Sequence, residues 1–519
     1  MRRCWLLALL LATAPRLALA ERFTAGTLLD RGMVAEVSAA ALAFIGPRSL
    51  RAEPLDQLAL WGLRGVGEID PRVLVDLRHG ELRILLDVAP QPRLLLAQKQ
   101  PDGNDPQGWG KAIGQAVQAA WDGSQAVRRA GTQGVVQAVL DEMVNRLDPY
   151  SRYATPAEAS ADEAQRDGTG DVGLRVTPRR GVFVVSKVVP DSPAAKAGIR
   201  PGETLLAVDG QDLADAEADA DDVAGLLAGP EGSVATLVLR DRAGRRRSLE
   251  VTRWLDLPQT VSLAWAQGLP VLHVSGFNAA TAQRLEEMLD TLGAARKPPR
   301  GVVVDLRGNH GGLLREAVAV AETLLDHGVV AATEGRDPAA NHVFHAAGHD
   351  LARGLPVVVL VDGQSASAAE VLAAALADQR RAVVVGSATY GKGLVQAVQP
   401  LPDGGELFLS WSRVLAPLGW PLQGLGVLPQ VCTSLGRPAL EAQLAALAGG
   451  VQPMQAALER SRAARAPLTV ADMLAIRSAC PASEADSAPL SRDGTVAAAL
   501  FLMEHPAAYE AALIGPPSM

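Results

Sequence analysis

Three short segments of the 519-residue chain carry side chains whose types and spacing suit covalent chemistry. The first is Asp362-Gly363-Gln364-Ser365-Ala366-Ser367-Ala368-Ala369-Glu370, small residues between an apolar run and a helical pattern. At such a strand-to-helix junction the backbone N–H groups lack helical partners, so it can expose a hydroxyl and offer donors to a developing oxyanion. Serine also caps helices, and taken alone the segment fits that structural role better. The second segment, Asp305-Leu306-Arg307-Gly308-Asn309-His310-Gly311-Gly312, likewise follows an apolar run. Its paired glycines allow close approach of backbone to a ligand, or simply a turn. The third is Tyr390-Gly391-Lys392-Gly393. Arginine fills 43 of the 49 basic positions, so each of the six lysines calls for a reason. Arginine stays protonated, whereas a buried lysine can lose its proton and serve as a base. The plain alternative is a solvated loop lysine. A phosphate-binding loop is excluded, because the glycine spacing before Lys392 is wrong and no Ser or Thr follows it.

Other catalytic patterns are missing: there is no G-x-S-x-G elbow and no H-E-x-x-H. His342, His345 and His349 have metal-compatible spacing only if helical, and Pro338, Ala340 and Gly348 argue for loop and strand. No metal is assigned there.

The elements that must position these segments follow from periodicity. Val302–Asp305, Pro356–Val361 and Ala382–Val385 are continuous apolar runs, as expected for strands covered on both faces. Helical patterns follow at Leu313–Leu325 and Ser367–Ala377. Upstream, residues 167–254 read as a small β-rich domain, with strands at Gly173–Val176, Val182–Val189, Thr204–Val208 and Val234–Arg240 and an acidic helix near 213–228. The acid run Asp212 to Asp222 reads as a solvated helix face. Residues 21–60 have helical spacing with Thr27 as the N-cap, and 69–98 alternate around a turn at His79-Gly80, with Arg93 to Ala97 as a third strand. Helix is expected again over 111–147, and from 437 onward the chain is Ala- and Leu-rich and mainly helical.

With 48% hydrophobic and 20% charged residues, the composition is globular, and the length predicts several domains. Arg2 and Arg3 precede an apolar run from Trp5 to Ala14 and the small residues Ala18-Leu19-Ala20, which reads as a signal peptide over residues 1–20. Its removal takes away three arginines and no acid, leaving 46 basic against 57 acidic side chains, a net charge of −11. That balance argues against nucleic acid, and no second long apolar stretch predicts stable membrane insertion. Removal also leaves two cysteines, Cys432 and Cys480. In an oxidising compartment they are a disulfide candidate; two separate buried thiols are the alternative.

Together these residues resemble the carboxyl-terminal processing peptidases, or tail-specific proteases, exported serine endopeptidases with an embedded PDZ domain. The resemblance runs from about Gly134 to Val431 through ordered motifs: Leu147 to Tyr153, Val188-Val189-Pro190, Ser192 to Ile199, Pro201-Gly202-Glu203, Asp305 to Leu314, Ser365 to Glu370, Gly391 to Gln396 and Gly424 to Pro429. It implies a multidomain α+β fold: an α/β ClpP/crotonase-like core over 255–436 with its helical segment at 134–166, an inserted PDZ domain over 167–254, and helical regions at 21–133 (with a β-hairpin) and 437–519. It implies a Ser367 nucleophile, a Lys392 base, a supporting Gln396 and, in some members, an Asp at 378. Gly312 and Ala368 are the candidate oxyanion donors. The PDZ domain implies capture of a C-terminal carboxylate near Val172, Gly173 and Leu174, with an apolar pocket from Val223, Leu226 and Leu227. No metal or organic cofactor is implied.

Three positions depart from the family pattern: His310 stands for Pro, Ala369 for Ser, and Asp171 for the Gly of the PDZ loop. A negative charge at 171 opposes an anionic ligand. The expected partners are protein or peptide substrates with free, apolar C-termini, in the periplasm first and the secreted space second. Residues 21–133 and 437–519 leave a homo-oligomer or an adaptor protein open. A PDZ scaffold on an inactive core and a ligand-gated peptidase are the competing readings.

Overall fold

The computed structural model describes residues 28–513 apart from 167–169, 180, 214–219, 256, 485–489 and 491–492. The expected signal peptide at 1–20 and the Thr27 cap lie outside the described residues. The described residues fall into two compact units, those up to Thr155 with Val398–Leu409, and Pro156–Ala397 with those from Ser410 onward.

In the first unit, helix α1 (Arg31–Arg48) is capped by Asp30, whose carboxylate accepts from Met33 N at 2.8 Å. Helix α2 (Leu55–Ile69) leads into an antiparallel meander of β1 (Val73–Arg78), β2 (Glu81–Leu86) and β3 (Arg93–Lys99). His79 and Gly80 both have positive φ, as a two-residue hairpin turn requires. Helices α3 (Pro106–Gly123) and α4 (Gln125–Val144) follow, the latter kinked at Gly131. Strand β4 (Arg152–Ala154) pairs with residues 406–408, and Gln133 donates to the Tyr153 hydroxyl, which donates to Asp403. These bonds draw Val398–Leu409 into this unit, although the sequence reading assigns it to the 255–436 core.

The second unit opens with α5 (Pro156–Arg166) and a β-rich domain. Its elements are β5 (Gly170–Asp171), β6 (Leu174–Arg179), β7 (Val182–Val188), α6 (Pro193–Lys196), β8 (Thr204–Val208), β9 (Gln211–Asp212), α7 (Ala220–Leu227), β10 (Val234–Arg240), β11 (Arg246–Thr252) and β12 (Trp254–Leu255). The sheet order β11-β10-β8-β7-β6 leaves β6 at the edge, and α7 packs against it.

The second sheet combines β13 (Val261–Ala266), β14 (Leu269–Val274), β15 (Val302–Asp305), β18 (Val357–Val361), β19 (Ala382–Gly386) and β22 (Val431–Cys432), parallel from β14 onward. Alternate residues of its valine runs point to opposite faces. Val302, Val304, Val357 and Val359 join the cluster that includes helices α8 (Thr281–Gly293), α9 (Leu314–Glu322) and α10 (Ala368–Asp378). Val303, Val358, Leu360 and Val383 face the C-terminal α11 (Arg437–Ala448), α14 (Gly494–Glu504) and α15 (Pro506–Ala512). Burial on both faces explains why these strands read as unbroken apolar runs. Strands β16 (Val329–Gly335), β17 (His342–His345), β20 (Leu394–Pro400) and β21 (Glu406–Leu415) belong to a separate sheet. Helices α12 (Gln455–Ala463) and α13 (Val470–Arg477) lie between α11 and α14. Among the described residues, no helix is long and apolar enough to cross a membrane.

Candidate active site

Parallel strands deliver their following loops to one end of the sheet, and the three chemistry-bearing segments are the loops after β15, β18 and β19. Ser367 ends the β18 loop immediately before α10, with φ 57° and ψ −117°. A non-glycine residue in the left-handed half of backbone space costs about 1–3 kcal/mol, and such conformations cluster at functional sites. Its N–H donates to Glu370 Oε2 at 2.8 Å, and the same oxygen accepts from Lys392 N at 2.9 Å. The other oxygen, Oε1, accepts from Gly391 N at 2.7 Å and from the Thr389 hydroxyl. One carboxylate therefore ties the Ser367 turn to the loop that carries Lys392.

The glycine loop packs against the same turn. A Cβ on Gly311 would come within 2.8 Å of Ser367 Cβ and 3.1 Å of Ala368 N, so only glycine permits this approach. Phe277 N donates to Gly311 O, and Leu313 N donates to Phe277 O. In this parallel bridge the N–H of Gly312 points away from Phe277. Ala368 opens α10, where N–H groups have no helical acceptor. The loop is fixed by buried Asn309, which accepts from Gly311 N at 2.8 Å, donates to Val274 O at 2.7 Å and receives Ala366 N on its carbonyl at 2.9 Å. Ser365 donates to Leu306 O at 2.9 Å and accepts Asp362 N, locking the β15 and β18 loops together.

Burial pushes the Glu370 carboxyl above its ordinary range, and the four donors oppose that rise. All four groups donate, so the arrangement suits the ionised carboxylate. At the end of β15, burial would raise the Asp305 carboxyl, but Arg307 and His273 hold it at about 2. Arg307 also pairs with Asp493, the N-cap of α14, at 2.5 Å.

Ser367, Lys392, Gly312 and Ala368 thus come from loops that meet, and Gln396 lies half-buried on β20, four residues beyond Lys392. Asp378 does not join them. It is the last residue of α10, about 15 Å along the axis from Ala368 at 1.5 Å per residue. Its carboxylate pairs with the buried Arg462 at 2.9 Å and accepts from Trp420 Nε1 at 2.9 Å, so it anchors the far end of the helix. The expected peptide-groove residues turn their side chains inward. Val172, Leu174, Val223 and Leu227 are no more than 1% exposed and form the core of the β-rich domain; Leu226 is half-buried against them. Within the expected carboxylate loop, the N–H of Gly173 already donates to Asp171 Oδ1 at 2.8 Å, and Asp171 Oδ2 pairs with Arg175 at 2.6 Å. Cys432 and Cys480 form a disulfide. His342 and His345 lie on a strand, and the described residues contain no group of three or more ligand-type side chains suited to a metal.

Glu370 is the central residue that the site assignment from sequence left out. Its signal was present: Ser367-x-x-Glu370 ahead of an apolar helix is the spacing that brings a glutamate side chain back to the N-cap N–H.

Comparison with known proteins agrees with this layout. The model for peptidase family S41 matches residues 269–433, and a PDZ domain model matches 184–241. The carboxy-terminal-processing protease of Bartonella bacilliformis is 31% identical over 317 residues, covering 59% of this chain and 71% of that protein. The chloroplastic C-terminal processing peptidase of Tetradesmus obliquus is 33% identical over 332 residues, covering 59% and 68%. A probable CtpA-like serine protease of Staphylococcus haemolyticus is 32% identical over 299 residues, covering 56% and 59%. The solved photosystem II D1 C-terminal processing protease is 27% identical, covers 72% of this chain and 92% of its own, and has a TM-score of 0.34. The chain belongs to peptidase family S41, the carboxy-terminal-processing serine proteases, with a PDZ domain inserted ahead of its peptidase core.

Proposed function

We propose that the chain is a Ser/Lys endopeptidase that selects exported proteins by their C-termini. The neutral amine of Lys392 takes the Ser367 proton as the hydroxyl oxygen attacks a peptide carbonyl, with Gln396 holding the amine. The oxyanion of the tetrahedral intermediate accepts from Gly312 and Ala368 N–H. Collapse breaks the C–N bond, and the Lys392 ammonium returns its proton to the leaving amine. Water then attacks the acyl-serine with Lys392 again as base, and collapse breaks the C–Oγ bond as the Lys392 ammonium returns that proton to Ser367. The observation that carries this reading is Glu370 Oε2, which accepts from the backbone of both Ser367 and Lys392. Substrate C-termini would add as a strand to the edge of β6 beside α7. The signal-like residues 1–20 support export, to the periplasm before the medium.

The test is cleavage of an unfolded model protein ending in apolar residues by the chain, Ser367→Ala and Lys392→Ala. Loss in both variants is expected; cleavage that survives Ser367→Ala overturns the nucleophile.

A second reading is favoured by Asp171. Its carboxylate already fills the Gly173 donor, so the PDZ domain would be gated and a C-terminal peptide would have to displace this internal anion. Stimulation by added C-terminal peptide distinguishes the gated enzyme from a constitutive one.

A further inference from the structure

The segment between α12 and α14 lies beyond the matched peptidase stretch, yet it touches the loops of the site. Ser483 O accepts from Gly363 N at 2.7 Å and from the Ser387 hydroxyl at 3.0 Å, and Ser483 N donates back to Ser387 Oγ at 3.1 Å. Met473 of α13 packs against Gly424, where a Cβ would come within 2.2 Å of its sulfur. Cys480 is bonded to Cys432 at the end of β22, which fastens the segment to the sheet.

Arg477, the last residue of α13, makes the most consequential contact. Its Nη2 donates to Thr389 O at 2.7 Å and its Nη1 to Leu425 O at 2.6 Å. Thr389 N donates to Val427 O at 3.2 Å, and Val427 N donates to Thr389 Oγ1 at 2.7 Å. Gly424 N donates to Gly391 O at 2.9 Å. The loop carrying Lys392 is thus laced to the 422–427 turn, and the guanidinium bridges the two from outside. The Thr389 hydroxyl then donates inward to Glu370. Burial works to lower the Arg477 pKa, and the charge of Glu370 counters it. A planar two-donor fork suits this bridge, and a single ammonium cannot reproduce it.

We propose that Arg477 is a positioning residue of the peptidase: by clamping the carbonyls of Thr389 and Leu425 it holds the Lys392 loop on Glu370, which makes the disulfide-fastened C-terminal segment part of the active site. The inference rests on the Ser/Lys reading. Its test compares the full chain with Arg477→Ala, Arg477→Lys and Ser367→Ala. Two readouts are needed: kcat and KM for an unfolded protein substrate across pH, and hydrogen exchange of the amides at 389–393.

In Arg477→Ala, kcat should fall about 30- to 100-fold with KM little changed, since displacements near 1 Å carry such losses. The pH midpoint of kcat should move as the surroundings of the Lys392 amine change. Exchange at 389–393 should accelerate about tenfold or more while that of β18 stays slow, as expected for local opening. Arg477→Lys should recover part of both effects. A kcat within about twofold of the unaltered chain, with or without faster exchange, overturns the proposal; such a change lies below one RT unit of barrier. If Arg477→Ala does not fold, Arg477→Lys decides alone, with an intermediate kcat expected and an unchanged one overturning. Cleavage surviving Ser367→Ala would overturn the Ser/Lys reading instead, and the exchange data would show whether Arg477 still holds its loop.

Discussion

In the peptidase core, the Glu370 carboxylate accepts from Ser367, Lys392 and Gly391 N–H and from the Thr389 hydroxyl, drawing two loops together. In the PDZ domain, the Asp171 carboxylate accepts from Gly173 N–H two residues along its own loop and pairs with Arg175. Both acids satisfy loop N–H groups, but their surroundings differ. Glu370 is fully buried, and its donors do not include the N–H groups of Gly312 and Ala368, which the proposed mechanism assigns to the oxyanion. Asp171 is partly exposed and fills a donor that a ligand carboxylate would need. On the proposed function, the first carboxylate organises a site from beside it, and the second competes with a ligand from within.

The largest effect should come from Glu370→Gln. An amide keeps the volume but presents an NH2 donor to a surrounding built of donors, so at least one contact to Ser367, Thr389, Gly391 or Lys392 is lost. We expect kcat to drop about 100-fold with KM little altered, measured by steady-state cleavage. A loss confined to KM would mean that Glu370 serves binding and not the assembly of the two loops. The Glu370 shift also has a sign in pH. With its carboxyl raised by burial, protonation as pH falls removes an acceptor at values above the ordinary glutamate range, so a second loss of kcat should appear on the acid side of the limb set by the Lys392 amine, and be absent in Glu370→Gln.

Opening the disulfide comes next. Cys432→Ala with Cys480→Ala frees a 48-residue span whose closure is worth roughly 4 kcal/mol in the chain-entropy picture. Urea unfolding should show that loss, accompanied by a smaller fall in kcat than Arg477→Ala produces.

On the PDZ side, Asp171→Gly should tighten binding of an apolar C-terminal peptide about tenfold, or ~1.4 kcal/mol, by freeing Gly173 N–H and removing a negative charge. Fluorescence anisotropy reads this directly. Unchanged affinity would show that the carboxylate of Asp171 does not compete with the peptide.

The last effect concerns stability at acid pH alone. Asp305 is held at about 2 against an ordinary 3.8, so its contribution is present above pH 3.8 and is lost as pH falls through about 2. The shift corresponds to roughly 2 kcal/mol. Asp305→Asn should therefore flatten the acid side of the stability profile measured by urea unfolding.

Much of this site is legible in local sequence because local patterns build it. Valine runs mark β15, β18 and β19; glycine pairs and a serine beside small residues mark the turns after them; and a lysine in an arginine-rich chain stands out. Glu370 was visible as a helix-start glutamate but not as the acceptor for a loop twenty residues away. Asp378 enters only through the resemblance, and the length of α10 sets it at the opposite end of the helix from Ser367. Asp171 stood out as a departure, and its i to i+2 spacing to Gly173 is that of an Asx-turn. Arg477 had no local signal, because its acceptors are main-chain carbonyls 88 and 52 residues earlier.

The most direct measurement of the Ser/Lys assignment is covalent labelling by a fluorophosphonate, located by peptide mass spectrometry and timed across pH. The assignment predicts one adduct, on Ser367, forming faster as pH rises and nearly abolished in Lys392→Ala. An adduct on another residue, or the same rate in Lys392→Ala, would contradict it.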